Sequence, residues 1–163
     1  MSTIRFSLLI VDIVLTGAIA GFFFAWSASV MRGLDVAPPA AAIEAMNAIN
    51  EEIRNALFAP AFFGPLLVGI VAALTFLPQI SSPAAWCVIA AVLVYAVGTF
   101  GVTIVVNLPL NDGLADAEIP TRSAAQARLW HEYSEPWTLW NHVRTLSSFV
   151  SFGCLLATLR LMP

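Results

Sequence analysis

Four apolar stretches, each about the length a helix needs to cross a bilayer, dominate this chain of 163 residues. They run from about Phe6 to Met31, Ala56 to Leu77, Ala84 to Val106 and Trp137 to Leu161, against the roughly 20 apolar residues that span a hydrocarbon core. In lipid each backbone polar group must find its partner within the chain, so only helices and closed barrels cross. No barrel-type strand alternation appears, and the segments read as helices. Composition agrees: 60% of residues are hydrophobic, 10% are charged and the mean hydropathy is +0.86, whereas soluble domains carry roughly 25% charged residues. The predicted fold is an all-α membrane protein, a four-transmembrane-helix bundle with two amphipathic loop helices on one side. One integral membrane four-helix domain accounts for residues 1–163.

The opening segment imitates a signal peptide, with Arg5, an apolar stretch and Ala18-Ile19-Ala20. Its apolar run continues through Phe24 and Trp26 to Val30, well past the roughly 7–15 residues of a cleaved signal core. It is expected to stay as the first span. The short Pro78 to Pro83 link makes the second and third spans antiparallel neighbours. The other two connections are longer and amphipathic, predicting loop helices over Pro38 to Arg54 and Ser123 to Glu135. In the first, Asn47, Asn50, Glu51 and Arg54 follow i, i+3, i+4, i+7 spacing and share one face. In the second, Arg128, Glu132 and Glu135 come close together beside Trp130 and Tyr133.

An even number of spans puts both ends of the chain on one side and both loop helices on the other. Arginines occur on both sides, which leaves orientation open; the expected location is the cell inner (plasma) membrane. Net charge is −3, which argues against nucleic acid as a partner. Cys87 and Cys154 each sit in an apolar run and read as small core residues.

Polar residues from four distant regions converge at the loop side. Asn47, Asn50, Glu51 and Arg54 share a level with Asn107 and Asn111 at the exit of the third span. Trp130, His131, Trp137, Trp140, Asn141, His142 and Arg144 stand at the entrance of the fourth. Ionisable groups at membrane depth are costly and point to function. Each residue also has a plainer reading. The tryptophans suit an interfacial belt, and Arg144 suits snorkelling or a structural pair with Glu51. Asn107 to Asn111 suits a helix exit. His142 suits a satisfied core histidine, and Asp12 an interfacial group near Arg5. Gly17, Gly21, Gly98 and Gly101 suit close helix packing.

The density of the cluster goes further than those readings. Aromatic walls, several amides, one Arg and one His suit a planar, oxygenated, fairly apolar molecule. His142 would take a proton from a hydroxy-aromatic, and Arg144 and Asn141 would hold the resulting oxyanion. Trp137 and Trp140 would stack against it. Asn47, Asn50, Glu51, Arg54, Asn107, Asn111 and Trp130 would complete the binding site. His142 and Arg144 point about 200° apart on a regular helix, which limits how both can face one cavity.

Asn107-Leu-Pro-Leu-Asn111, Trp130, and Trp137-x-x-Trp140-Asn141-x-x-Arg144-Thr145 together resemble the anthrone-oxygenase-like family of small membrane proteins, as does Met46-Asn47-x-Ile49-Asn50. The resemblance covers nearly the whole chain. It implies a four-helix membrane bundle and, for its fungal members, O₂-dependent conversion of an anthrone to an anthraquinone with no organic cofactor. The expected activity is therefore oxidation of a planar hydroxy-aromatic, anthrone- or quinol-like substrate by O₂. The expected partners are the lipid bilayer, a small aromatic substrate and a possible homo-oligomer. No Gly-rich dinucleotide cradle is visible. The rival mechanism is a single transition metal ion held by His131, His142, Glu51, Glu132 and Glu135; the expectation is that no metal is bound. The alternative of another class is a non-catalytic membrane module that binds a small aromatic ligand or a partner subunit.

Overall fold

The computed structural model describes residues 3–162, and among them there is no strand. Four helices are long and apolar enough to cross a membrane: α1 (Thr3–Asp35), α3 (Phe58–Thr75), α4 (Pro83–Asp116) and α5 (Ser123–Leu161). A shorter helix, α2 (Pro39–Glu52), joins α1 to α3. The chain is an integral membrane four-helix bundle. α1 and α4 each pack along both α3 and α5, so α1 and α4 face each other across the diagonal. α2 lies on the loop-side ends of α4 and α5.

Local chemistry sets the starts of these helices. Pro39 opens α2 with its fixed φ and no N–H to satisfy. At the entry to α3, the Asn55 side-chain oxygen accepts from the Leu57 and Phe58 amides at 2.9 and 3.0 Å. Ser82 caps α4 by accepting from the Ala85 amide at 3.2 Å, with Pro83 in the first turn. Within α3, Pro65 withholds an N–H from the ladder. In the same turn the Tyr95 hydroxyl donates to the Phe62 carbonyl at 2.7 Å, fastening α3 to α4.

Two predicted boundaries are corrected. The loop helix over Ser123 to Glu135 and the fourth span from Trp137 are one 39-residue helix that runs through Pro136. Pro136 cannot serve the Glu132 carbonyl, but Glu132 stands on an exposed face where water can. The third span does not stop at Val106: α4 continues through Asn107 and Pro109 to Asp116. It does so by widening into π turns over Tyr95–Gly101 and Thr103–Asn107. A third π turn, Trp26–Val30, lies in α1.

Two further expectations change. Asp12 is not interfacial: it is 1% exposed, accepts from Thr16 at 3.4 Å and packs on Gly69. Arg5 instead donates to the Gln79 side chain and the Thr75 carbonyl. Of the four glycines expected to permit close packing, Gly98 lies directly against Ser147 of α5 and Gly17 against the Phe152 ring. A Cβ on Gly21 would meet no other residue within 4 Å, and one on Gly101 only the Ala96 carbonyl. Cys87 and Cys154 are both free.

Gly98→Leu should therefore push α4 off α5. Overpacking of this kind costs about 1–3 kcal/mol, read as a lower unfolding midpoint in detergent. Gly21→Leu, in open space, should leave that midpoint unchanged or slightly raised.

Candidate functional site

Arg144 is 4% exposed, and no carboxylate lies within 4 Å of it among the described residues. Nη2 donates to the Asn141 side-chain oxygen at 2.9 Å and Nη1 to the Thr103 hydroxyl at 3.4 Å, while Nε has no partner. The guanidinium carbon sits 4.5 Å from the centre of the Phe23 ring and 4.9 Å from that of Trp137. Two π faces and neutral oxygens thus take the place of a counter-ion. A desolvated cation held without an anion is an attractive site for one.

Asn141 fixes this cation in place. Its amide nitrogen donates to the Phe23 carbonyl at 3.0 Å and to the Ser27 hydroxyl at 2.8 Å, which leaves the amide oxygen aimed at Arg144. Ser27 belongs to the π turn of α1 and also meets Thr145 at 3.3 Å and Nδ1 of His142 at 2.9 Å. On α4, buried Tyr95, Thr99, Thr103 and Asn107 recur every four residues. A regular α-helix rotates that spacing off line by about 40° per step. The wider π turns, which frequently mark functional sites, keep the row turned toward α5. Thr99 bonds Ser148 at 3.0 Å and the Arg144 carbonyl at 3.4 Å.

Asn111 joins three elements. Its side-chain oxygen accepts from the Tyr133 hydroxyl and from Nε1 of Trp137, both at 2.9 Å. Its nitrogen donates to Asn50 of α2 at 3.1 Å. Asn107 donates to the Trp137 carbonyl at 3.3 Å. The α2–α4–α5 corner is therefore held by side-chain amides, over a cluster that includes Trp26, Met46 and Trp130.

Between these groups lies a cavity of about 700 Å³. Phe22, Phe23 and Trp26 of α1 and Trp137 of α5 wall it, and Phe58, Phe62 and Phe63 of α3 close another side. Phe62, one of these walls, stacks from behind on Phe100, ring centres 5.5 Å apart. Arg144 and Thr103 give it a polar patch at depth, with Asn50 and Asn111 higher up. At its mouth Arg54 stands 3.8 Å from Asp112. Size and lining suit a flat aromatic ligand with oxygens at its edge.

The predicted site residues divide accordingly. Asn50, Arg54, Asn111, Trp137 and Arg144 line the cavity. Asn107 and Asn141 are buried behind it as supports. Asn47 and Glu51 do not line it, and exposed Glu51 is not the partner of Arg144. Trp130 is buried and donates to Asp35 at 2.9 Å, away from the cavity. Trp140, at 37% exposure, looks outward. His142 is exposed and opens on a separate hollow with His131 and Glu135. The physical reason is the helical rotation between His142 and Arg144: burying one turns the other out.

Among the described residues no three His, Cys, Asp or Glu side chains converge as metal ligands. Because α5 is continuous, His131 and His142 are separated by about 16 Å, too far for one ion. Glu135 lies 3.6 Å from His131, and Glu132 bonds Arg128 at 2.7 Å. Ser27, Thr99 and Thr103 escaped the sequence reading, which placed Tyr133 only beside the Arg128–Glu135 group. Small hydroxyls in apolar runs look like filler, although the four-residue recurrence on α4 was there to be seen.

The sequence model described as anthrone oxygenase matches residues 55–154. The chain belongs to the anthrone oxygenase family. The matched region holds α3, α4 and α5 through Cys154, with Asn107, Asn111, Asn141 and Arg144, while Phe23, Ser27 and Asn50 lie outside it. No curated protein and no solved structure matches the chain.

Asn111→Leu should strip the acceptor from two buried donors, each left unsatisfied at a cost of roughly 1–3 kcal/mol. The expected result is a lower unfolding midpoint, with tryptophan emission shifted to the red as Trp137 loosens.

Proposed function

We propose that this protein is a membrane oxygenase that binds a planar hydroxy-aromatic, anthrone- or quinol-like molecule in the α1–α3–α4–α5 cavity and directs its oxidation by O₂. Arg144 carries this reading: a buried guanidinium with no carboxylate beside it, on the wall of an aromatic cavity. Family membership supports the same chemistry.

For an anthrone, loss of a proton from the central CH₂ gives an anion whose charge rests largely on oxygen. Arg144 would hold that oxygen, lowering the cost of forming the anion in a dry site. The carbanion-like carbon then bonds to O₂, which is reduced to a hydroperoxide once a proton returns. Loss of water breaks the O–O and remaining C–H bonds and leaves a carbonyl. The sum is substrate plus O₂ giving quinone plus water, with protons balanced and no flavin, haem, nicotinamide or resident metal in the scheme. Asp112, the carboxylate among the described lining residues, would accept the first proton at the mouth. His142, outside the cavity, is left no role at the reacting carbon.

O₂ uptake by purified protein with 1,8-dihydroxyanthrone tests this. Arg144→Gln should reduce kcat/KM by about 100-fold, the usual effect of removing an oxyanion donor. Asp112→Asn should also slow turnover, and His142→Ala should stay close to the parent. Treatment with a strong chelator should leave the rate unchanged. An equal rate for Arg144→Gln and parent would sink the reading. Tight binding of the anthrone without O₂ uptake would favour a non-catalytic aromatic carrier, an option supported by the absence of a buried base among the described lining residues.

A further inference from the structure

We infer that ligands enter and leave this cavity sideways from the bilayer, through a gap between α3 and α4 bounded by Phe63 and Ile104. The inference rests on the reading of the cavity as a site for an apolar aromatic and adds the route. It makes the substrate class one dissolved in the membrane.

Depth is the first support. α3 has only 18 residues, about 27 Å of helix, close to the thickness of the hydrocarbon core. Its first residue, Phe58, therefore marks the loop-side edge of that core. Phe63 lies five residues further in, about 7 Å below the edge. The part of the cavity that Phe63 lines is thus inside the apolar layer.

Separation of the helices is the second. α3 and α4 pack together toward the chain ends, and their tie nearest the loop side is where the Tyr95 hydroxyl bonds the Phe62 carbonyl and Phe62 and Phe63 both meet the Phe100 ring. Beyond Phe100 toward the loop side, no described side-chain hydrogen bond or aromatic pair joins the two helices. The next tie is the Arg54–Asp112 pair, where Arg54 belongs to the segment before α3. Phe100 and Asp112 are separated by about 18 Å along α4. Within that interval Phe63 and Ile104 both line the cavity and are 46% and 43% exposed. In a bilayer the outer surface at this depth meets acyl chains.

The chemistry of the two openings is the third. The loop-side mouth carries Arg54, Asn55 and Asp112, and the ion pair stands across it at 3.8 Å. A flat hydrophobic solute partitions into the acyl layer, and the Phe63–Ile104 gap leads from that layer to Arg144 without crossing the charged mouth.

The route can be tested without substrate or O₂, so its failure is separate from failure of the oxygenase reading. Cys87 and Cys154 are replaced by Ser, and Ala59→Cys puts a thiol on the cavity wall. The protein in phospholipid vesicles is treated either with a long-chain N-alkylmaleimide dissolved in the membrane or with a sulfonated methanethiosulfonate in water. Ile104→Trp should slow the maleimide by about tenfold and leave the aqueous reagent unchanged. Val105→Trp, at a 73% exposed neighbour that does not line the cavity, should alter neither rate. A maleimide rate untouched by Ile104→Trp overturns the inference, as does a thiol that the maleimide never reaches. Equal slowing of both reagents also overturns it, because the new indole would then fill the cavity and not the gap.

Discussion

A guanidinium at membrane depth without a carboxylate is the constraint around which this bundle is built. Desolvating a charge costs several kcal/mol even after relaxation, and the protein offsets that cost with what surrounds Arg144. Phe23 and Trp137 offer their π faces, Asn141 gives an oxygen and Thr103 a hydroxyl. Each of these groups needs its own support, and those supports reach four of the five helices. Asn141 is aimed by α1 through Phe23 and Ser27. Trp137 is tied to α4 by Asn111, and Asn111 to α2 by Asn50. A neutral cage leaves the cation's field free for a ligand, where a salt bridge would have neutralised it.

The π turns in α1 and α4 follow from the same need. Both fall beside the polar cluster, and the wide turns in α4 keep Thr99, Thr103 and Asn107 on the face that meets α5. Farther from the site the polar groups become purely structural. Ser151 donates to the Ala91 carbonyl at 2.9 Å and Thr158 to its own helix, satisfying hydroxyls that would be costly in lipid. The bundle is thus close-packed toward the chain ends. It is open and aromatic where α3 leaves α4.

Much of the fold was legible because lipid imposes simple rules. Span number follows from segment length, and α2 follows from the periodicity of Asn47 to Arg54, ending at Glu52. Boundaries were less legible where proline was read as a stop. Pro109 and Pro136 are both carried inside long helices, since π turns and water can serve the carbonyls that proline neglects. The convergence of Asn50, Asn111, Trp137 and Arg144 was also legible, because topology puts their segments at one end of the bundle.

The sequence by itself determined that four helices cross a membrane and that amides, tryptophans and Arg144 gather at one end of them, since hydropathy and span parity suffice for both. Only the tertiary structure decided which face each helix turns inward. That setting separates Arg144, in the cavity, from His142 outside it, and Asn50 from exposed Glu51 on the same helix. It also made Asp12 a buried polar centre and Ser27 a half-buried one. The physical reason is rotational: about 100° per residue gives neighbouring residues different environments. The angle at which a helix settles is fixed by packing such as Gly98 on Ser147, which no residue reveals until its partner helix is beside it.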